Sequence, residues 1–464
     1  MKKYILVVAC CLSLVGMKAQ ATEEQVEGPD LSGVEVLDLR TAQEIALVGN
    51  PDMVSAQARI EQARARVSQA VAAWWPSVDL TAVGRKERLS DSAYEASQVL
   101  ASLSGTTADR TSDNFSTGLQ ATWLLFDGFF RNFNEKKARY DEEANISGLL
   151  DSQRLLVVSV AEAFLNAQLA QTNVDIAKAD KAFYTRQLED AQNRYDVGAG
   201  PWGDVLNIKV QLNSAETNLM LNQRESEAAG YGLAALMGIP DAAFPAYIRL
   251  EPLDREFVTE KFEEDVELLL QEALLARPDV RRQEMNVKQA EAGTGLAEAP
   301  FYPTVQLAGA VNGARQGDVS LTGDDFGNSV SVNLAWNLFA GGADKARLVE
   351  AKQAKREARY SLLNLRNQVA SEIRQDIALL EAAQEQVRLQ RETVGLVEEN
   401  RDLAKNEYEA GEASLVRLNE AQRDLSTTYG RLAQALVGYR RAMQRLDSAT
   451  GRNLKGLVME SGQQ

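Results

Sequence analysis

Apolar and polar residues alternate along several segments of the chain, and this period of two predicts β-strands with two different faces. The alternation runs through residues 115–123, 305–312 and 329–338. In each segment the larger apolar side chains share one face, whereas Ser, Thr, Asn and Gln are concentrated on the other. Such strands fit either a half-buried sheet in a soluble domain or a membrane barrel with its apolar face outward.

Two long stretches without proline predict unusually long helices, from about Arg131 to Tyr195 and from about Gly342 to Tyr408. Each spans about 65 residues, or ~100 Å at 1.5 Å per residue. Glycines suited to a left-handed helix end follow, and a short turn then leads into another helix. One long helical hairpin is therefore predicted in each half. Apolar residues at coiled-coil-like spacing support the second hairpin: Leu362, Leu365, Val369, Ile373, Ile377, Leu380, Leu425, Leu432, Leu436, Tyr439, Met443 and Leu446.

The two halves of the chain are related by a tandem duplication, because five landmarks of the first half recur in the same order in the second. The first two recur at one constant offset in residue number, and the other three at a single smaller offset, so one loop between them is longer in the first half. Each half reads helix, strand, loop, strand, long helix, turn, helix, and four strands are therefore expected per chain. The landmarks 50–52, 74–78, 125–128, 193–198 and Gly238 recur at 277–279, 301–305, 338–341, 406–411 and Gly451.

Aromatic residues cluster where helices and strands meet, as in the interfacial girdle of a membrane barrel, although a helix–sheet seam in a soluble core would also explain them. Four strands cannot close a transmembrane barrel, whose minimum is about eight. The membrane interpretation therefore requires several chains, with eight strands from two chains or twelve from three. The candidate girdle consists of Trp74, Trp75, Trp123, Phe126, Phe301, Tyr302, Trp336 and Phe339.

Composition excludes several classes of function. The 464 residues include 50 Lys and Arg against 66 Asp and Glu, a formal net charge of −16 that argues against nucleic-acid binding. Histidine is absent, and the two cysteines are Cys10 and Cys11. These counts exclude histidine-based acid–base catalysis and the usual zinc ligand sets. The motif Gly-x-x-x-x-Gly-Lys-Ser/Thr is also absent, which excludes a nucleotide-binding Gly-rich loop of that type. We expect neither an enzyme nor a cofactor or metal site.

Residues 1–21 are predicted to form a secretory signal peptide, because two lysines precede an apolar run at 4–16 and residues 19–21 fit a cleavage site. A lipoprotein acylation site at Cys10 is disfavoured, since the apolar run before it is short and continues past it. No later stretch reaches the ~20 apolar residues of a membrane-spanning helix. The chain is therefore expected to be exported, and to enter a membrane only as strands.

The mature chain is divided into a first repeat at 22–240, a linker at 241–264 and a second repeat at 265–464, which together form one integrated protomer. The linker is expected to wrap the helical part near mid-height. Residues 85–114 and 314–325 are polar and contain glycine, so we expect them to form mobile external loops.

The landmark motifs together resemble the outer-membrane efflux protein family, the TolC-like outer-membrane factors, over nearly all of the mature chain. Asn50-Pro51-Asp52, Trp75-Pro76-Ser77, Leu125-Phe126-Asp127-Gly128 and Tyr195-Asp196-Val197-Gly198 carry the resemblance, with their partners in the second half. It implies a homotrimer with a 12-stranded outer-membrane β-barrel in lipid and a periplasmic α-helical tunnel. It also implies the function of an exit duct in a tripartite efflux pump or type I secretion system.

The same resemblance implies partners and sites. The partners would be a periplasmic adaptor and an inner-membrane transporter of the ABC, RND or MFS type. By position, Asp204 and Tyr408 match residues of the family's periplasmic gate, and Glu420 matches a lumenal acid. Ala413 and Arg417 depart from the family pattern, so we hypothesise a substitute Asp204–Arg417 ion pair; solvated helix-end charges are the alternative. Adaptor docking is expected at the hairpin tips, at Val197, Gly198, Ala199, Ala410, Gly411 and Glu412.

A second interpretation remains open on the sequence alone. The long helices could form a periplasmic or surface coiled-coil scaffold, with the four strands in a small soluble sheet. That protein would be soluble without detergent, whereas a channel would need it. The sequence does not specify whether the cargo is a drug, a metal or a protein.

Overall fold

A computed structural model describes residues 29, 31, 33–317, 321–455 and 457. The predicted signal peptide and both cysteines lie outside the described residues, as do 318–320 of the second external loop. The helices and strands follow the order β1 (Val36–Leu37), α1 (Leu39–Gly49), α2 (Pro51–Ala72), β2 (Ser77–Arg88), α3 (Asp91–Leu103), β3 (Thr111–Asp127), α4 (Phe130–Asp196), α5 (Trp202–Leu236), β4 (Arg249–Leu250), α6 (Val266–Ala276), α7 (Pro278–Glu298), β5 (Thr304–Gln316), β6 (Phe326–Ala335), α8 (Ala343–Glu409) and α9 (Leu415–Ala449).

The two long helices, α4 and α8, have 67 residues each, so each is ~100 Å long, as predicted. Both end in the same way: Gly198 and Gly411 adopt φ of +75° and +76°. The amide of the next residue donates back into the last turn, from Ala199 to the carbonyl of Arg194 and from Glu412 to that of Glu407. These Schellman-type ends reverse the chain into α5 and α9.

The helices form one layer in which shorter helices lie beside the long ones. Helices α2 and α5 both pack on one side of α4, while α7 and α9 lie between α4 and α8. The lateral order is therefore α2/α5, α4, α7/α9, α8. Apolar residues of α8 and α9 predicted at coiled-coil spacing are buried there, including Val369, Ile373, Leu432 and Leu436.

Two shorter helices meet end to end in each repeat, α2 with α5 in the first and α7 with α9 in the second. The two junctions are equivalent. The Asn50 side chain at the start of α2 donates to the carbonyl of Leu236 at the end of α5, at 2.8 Å. The Arg277 guanidinium before α7 donates to the carbonyl of Ala449 at the end of α9, at 2.9 Å. Gly238 approaches Gly49 so closely that a Cβ at 238 would lie 2.0 Å from the Gly49 oxygen. The duplication read from the sequence is thus present in the packing.

Four helices, α2, α4, α7 and α8, each adjoin one strand of an antiparallel sheet. The strands of this sheet lie in the order β2-β3-β5-β6. Val78 pairs with Ala121, Leu80 with Leu119, and Leu119 in turn with Val311, which confirms an apolar face. A bulge between Leu124 and Phe126 keeps Phe126 on that face. The opposite face carries polar pairs such as Asp79–Gln120 and Gln306–Asn333. Strands β2 and β6 are the two open edges of this sheet.

Two predictions about the strands are wrong. The alternation predicted a strand through Trp336 and Leu338, but β6 ends at Ala335 because the Asn337 side chain accepts from the amide of Phe339 and the chain turns. Residues 85–114 are not all loop, because β2 extends to Arg88, β3 begins at Thr111, and α3 forms between them.

The linker crosses the helices rather than extending one of them. Strand β4 pairs in parallel with β1, and Gln168 at the middle of α4 donates to the carbonyl of Glu251 at 2.7 Å. Farther along, Phe257 stacks under the Arg440 guanidinium of α9 at 4.6 Å and accepts a hydrogen bond from Arg391 of α8. The linker therefore touches three neighbouring helices near mid-height.

One described helix, α4, includes an 18-residue stretch apolar enough by composition to cross a membrane. More than half of that stretch is buried among neighbouring helices, with Val160, Phe164 and Leu165 almost fully covered. It forms part of the core where α1, α4 and the end of α5 meet.

Candidate functional site at the two ends of the helical layer

The hairpin tips bring together two of the four predicted gate residues, Asp204 and Tyr408. Burial raises the pKa of the Tyr408 hydroxyl, and the nearby Asp204 carboxylate raises it further. The guanidinium of Arg194 lies 5.1 Å from the Tyr408 ring centroid, a cation–π contact across the base of the tip. Asp204 lies in the first turn of α5, where a negative charge is favoured by the helix dipole.

Arg417 does not pair with Asp204 within the described chain. Its guanidinium lies 3.3 Å from the Glu407 carboxylate, on the other side of the α8–α9 turn. The fourth predicted residue, Glu420, is exposed one turn farther along α9. The tip therefore holds a mixed set of charges, and the side chains that sequence reasoning missed are Arg194 and Glu407.

The repeat explains how the two tips differ. Asp204 and Arg417 occupy equivalent positions in the two repeats and carry opposite charges, whereas Tyr195 and Tyr408 are equivalent tyrosines. Tyr195 packs on Trp202 with ring centroids 5.0 Å apart. The equivalent of Trp202 is Leu415, which is 5% exposed.

All six residues expected to dock an adaptor are exposed at the extreme end of the hairpins. Val197 is 80% exposed, so its apolar side chain is available to a partner. Gly198 and Gly411 have open space where a Cβ would be, so these sites can be probed by substitution.

At the other end, the predicted girdle residues lie at the helix–strand junctions. The Trp123 indole N–H donates to the carbonyl of Trp74 at 3.0 Å, and the equivalent Trp336 donates to that of Phe301 at 3.2 Å. Trp75 is 75% exposed and Phe339 is 84% exposed. Tyr302 packs edge-to-face on Phe129, which in turn packs on Phe126.

A buried ion pair that the sequence did not reveal anchors the first junction. The Arg131 side chain binds Asp127 at 2.9 Å and donates to the carbonyls of Ala73 and Leu125. Its guanidinium also stacks on Trp74 at 4.5 Å. The equivalent residues of the second half are Ala340 and Asp344, so this anchor exists once per chain.

The model of the outer membrane efflux protein family matches residues 43–239 and 269–452. The chain is 25% identical over 415 residues to nodulation protein T of Rhizobium leguminosarum bv. trifolii, covering 87% of this chain and 83% of that protein. It is 24% identical over 409 residues to outer membrane protein TolC of Vibrio cholerae, covering 87% and 88%.

Solved structures share the fold. The Campylobacter jejuni CmeC outer membrane channel superposes with a TM-score of 0.76 at 18% identity, covering 89% of this chain and 86% of that one. The predicted fold class, a mainly α-helical tandem duplication with a sheet of four strands per chain, is therefore confirmed. The predicted outer-membrane location is confirmed as well. Because the family match spans both repeats, the chain belongs to the outer membrane efflux protein family and is an efflux channel of the outer membrane.

Proposed function

We propose that three copies of this chain form the exit duct of a tripartite efflux pump or type I secretion system. The observation that carries the proposal is the pair of open sheet edges, β2 and β6, in a sheet whose apolar face is exposed. An open edge is not tolerated in hydrocarbon, because its backbone groups have no water to bind. Pairing of β6 with β2 of the next copy would close a 12-stranded barrel.

The helical layer has matching open edges. On α8, Leu389, Leu396 and Leu403 are each about half exposed and are spaced by seven residues, the period of a coiled-coil seam. On α5, at the opposite edge, Leu206 and Val210 are exposed. Packing of α8 against α5 of the neighbouring copy would bury both rows and close a tunnel below the barrel.

Such an assembly is a passive conduit. The polar sheet face, with Gln120, Thr122, Ser331 and Asn333, would line the barrel lumen, and outer-membrane lipid would contact the apolar face. The exposed Trp and Phe residues at the junctions would form the interfacial girdle. The chain would catalyse no reaction, so an inner-membrane transporter of the ABC, RND or MFS type would supply the energy.

Light scattering of the detergent-extracted protein tests the assembly. Three chains per particle are expected, because three sets of four strands give twelve. A soluble monomer that needs no detergent would overturn the duct and leave a coiled-coil scaffold.

The periplasmic gate is proposed to consist of Asp204, Tyr408, Arg417 and Glu420, drawn close to the threefold axis at the tips. In one chain Arg417 pairs with Glu407, so an Asp204–Arg417 contact would form between neighbouring copies. We expect the double variant Asp204→Ala, Tyr408→Phe to raise single-channel conductance in planar bilayers. Tyr195→Phe is the matched control, since it removes the same hydroxyl from the equivalent position. Unchanged conductance in the double variant would rule out this gate.

The hairpin tips are proposed to dock a periplasmic adaptor. We expect Gly198→Trp together with Gly411→Trp to abolish export in cells that depend on this chain, while the protein remains trimeric. Gly105→Trp is the matched control, because Gly105 also has a positive φ of +70° and open space but lies at the opposite end of the molecule. Normal export by the double variant would show that docking occurs elsewhere.

A further inference from the structure

Helix α3, in the loop between β2 and β3, has one face attached to its own chain. The Ser90 hydroxyl caps its first turn by accepting from the amide of Ala93. Tyr94 and Ala101 are half-buried, and Arg110 both stacks over the Tyr94 ring at 5.7 Å and pairs with Asp91. These contacts hold α3 at the far end of the sheet from the long helices.

The other face of α3 is apolar and exposed. Leu100 is 72% exposed and Leu103 is 81% exposed, and none of the residues of this helix is buried. With Ala93 and Ala96 they form a row spaced by three, four and three residues. That is the a/d spacing of a coiled-coil seam, with small residues at one end and leucines at the other.

A helix of 13 residues is marginal in water by itself, because its nucleation is unfavourable. Most of the stability of a short helix comes from burying its apolar face. The described chain leaves that face open, so a partner that covers it would stabilise the helix.

We propose that the three α3 helices of one trimer pack against one another through this row, above the outer mouth of the barrel. The inference rests on the trimer of the proposed function. Helix α3 directly follows β2, the edge strand that would meet β6 of the neighbour. It is therefore located beside the seam between copies.

The dimensions allow the contact. Twelve strands ~4.8 Å apart, tilted by ~40°, give a barrel radius of about 12 Å. Helix α3 is ~20 Å long at 1.5 Å per residue, so it can reach from the rim to the threefold axis.

Charge favours a second copy over lipid as the occupant. The charged residues of α3 are Asp91 and Glu95, both acidic. Helices that lie on membranes carry Lys and Arg on their polar face, which attract anionic lipid. A helix with two acids and no base is repelled by such a surface, whereas its apolar row is self-complementary.

Single cysteines test the contact, because the native cysteines are confined to the predicted signal peptide. Leu100→Cys and Leu103→Cys place a thiol in the row. Gln98→Cys, on the opposite side of the helix, is the matched control. The detergent-extracted trimers are oxidised with copper phenanthroline, and linked chains are separated on a non-reducing gel.

We expect disulfide-linked dimers from Leu100→Cys and Leu103→Cys at least tenfold more abundant than from Gln98→Cys, with particle mass unchanged at three chains. Equal linking in all three variants, or no linking in an intact trimer, would overturn the α3 contact and leave the duct standing. A particle that is not a trimer would instead overturn the proposed function and the contact with it.

Discussion

The junction at Arg277 allows a quantitative test of how the second repeat is held together. The guanidinium donates to both carboxylate oxygens of Asp279 at 3.0 and 2.8 Å, to Glu372 at 2.7 Å and to the carbonyl of Ala449 at 2.9 Å. The side chains of Arg277 and Asp279 are only 4% and 10% exposed. In Arg277→Met, the buried Asp279 carboxylate would retain Arg154 at 4.0 Å as its nearest cation.

Removing one partner of a buried ion pair costs about 3–5 kcal/mol, because the remaining charge is buried without compensation. The entropy of unfolding is ~2.1 cal/mol/K per residue, or about 1 kcal/mol/K for the 464-residue chain. Arg277→Met should therefore lower the apparent melting temperature by about 3–5 °C if the chain unfolds as one unit. Circular dichroism at 222 nm in detergent measures this shift.

The control is Arg282→Met, which removes a guanidinium that is 47% exposed and lies 3.7 Å from Asp151. The buried Asp151 carboxylate keeps its pair with Arg154 at 2.9 Å, and a half-exposed guanidinium contributes about 0–1 kcal/mol, so the shift should be about 1 °C or less. Arg277→Asn should lose less stability than Arg277→Met, because Asn50 already closes the equivalent junction of the first repeat. Equal melting of Arg277→Met and Arg282→Met would refute the assigned role.

Three further results are expected. Burial raises the pKa of Asp279, but the ion pair with Arg277 outweighs burial and holds the pKa below its ordinary value. The stabilisation from this ion pair is lost as the pH falls below about 4. The difference in melting temperature between wild type and Arg277→Met should therefore shrink between pH 7 and 3. Burial raises the pKa of Tyr184 to about 12, so stability should fall as the pH rises from 10 to 12, and Tyr184→Phe should flatten that fall in an alkaline melting series. Gly238→Ala should lower the melting temperature more than Gly411→Ala. Both glycines have φ above +70°, but only at Gly238 would a Cβ lie 2.0 Å from a backbone oxygen. Equal shifts in melting temperature would contradict this reasoning.

Periodicity and repetition predicted the main architecture. The absence of proline predicted both long helices to within a residue or two, since little else limits a helix of that length. By the repeat offset Trp123 corresponds to Trp336, and their indole groups make equivalent hydrogen bonds. The long helices follow from a local property of the sequence, the absence of proline. The junction contacts occur in both repeats, so each repeat supports the prediction made from the other.

The features that were missed depend on contacts at a distance or on an unrepeated segment. Helix α3 lies in the longer loop segment of the first half, where polar residues and glycine predicted a loop. The cap at Ser90 and the apolar row could have revealed the helix. The Asp127–Arg131 pair has no counterpart in the second half. Arg417 pairs with Glu407 because the turn at Gly411 folds two helix ends together, and neither charge by itself indicates that pairing.

The open edges of the four-stranded sheet have a consequence for biogenesis. Along β2, with 12 residues, and β6, with 10, about half of the backbone groups point away from the sheet without a strand to bind. Each such group costs several kcal/mol in hydrocarbon, so a single chain cannot enter the bilayer and wait for others. In the proposed trimer, membrane insertion would therefore be simultaneous with closure of the barrel, and its rate should rise steeply, approaching third order, with the concentration of exported chains.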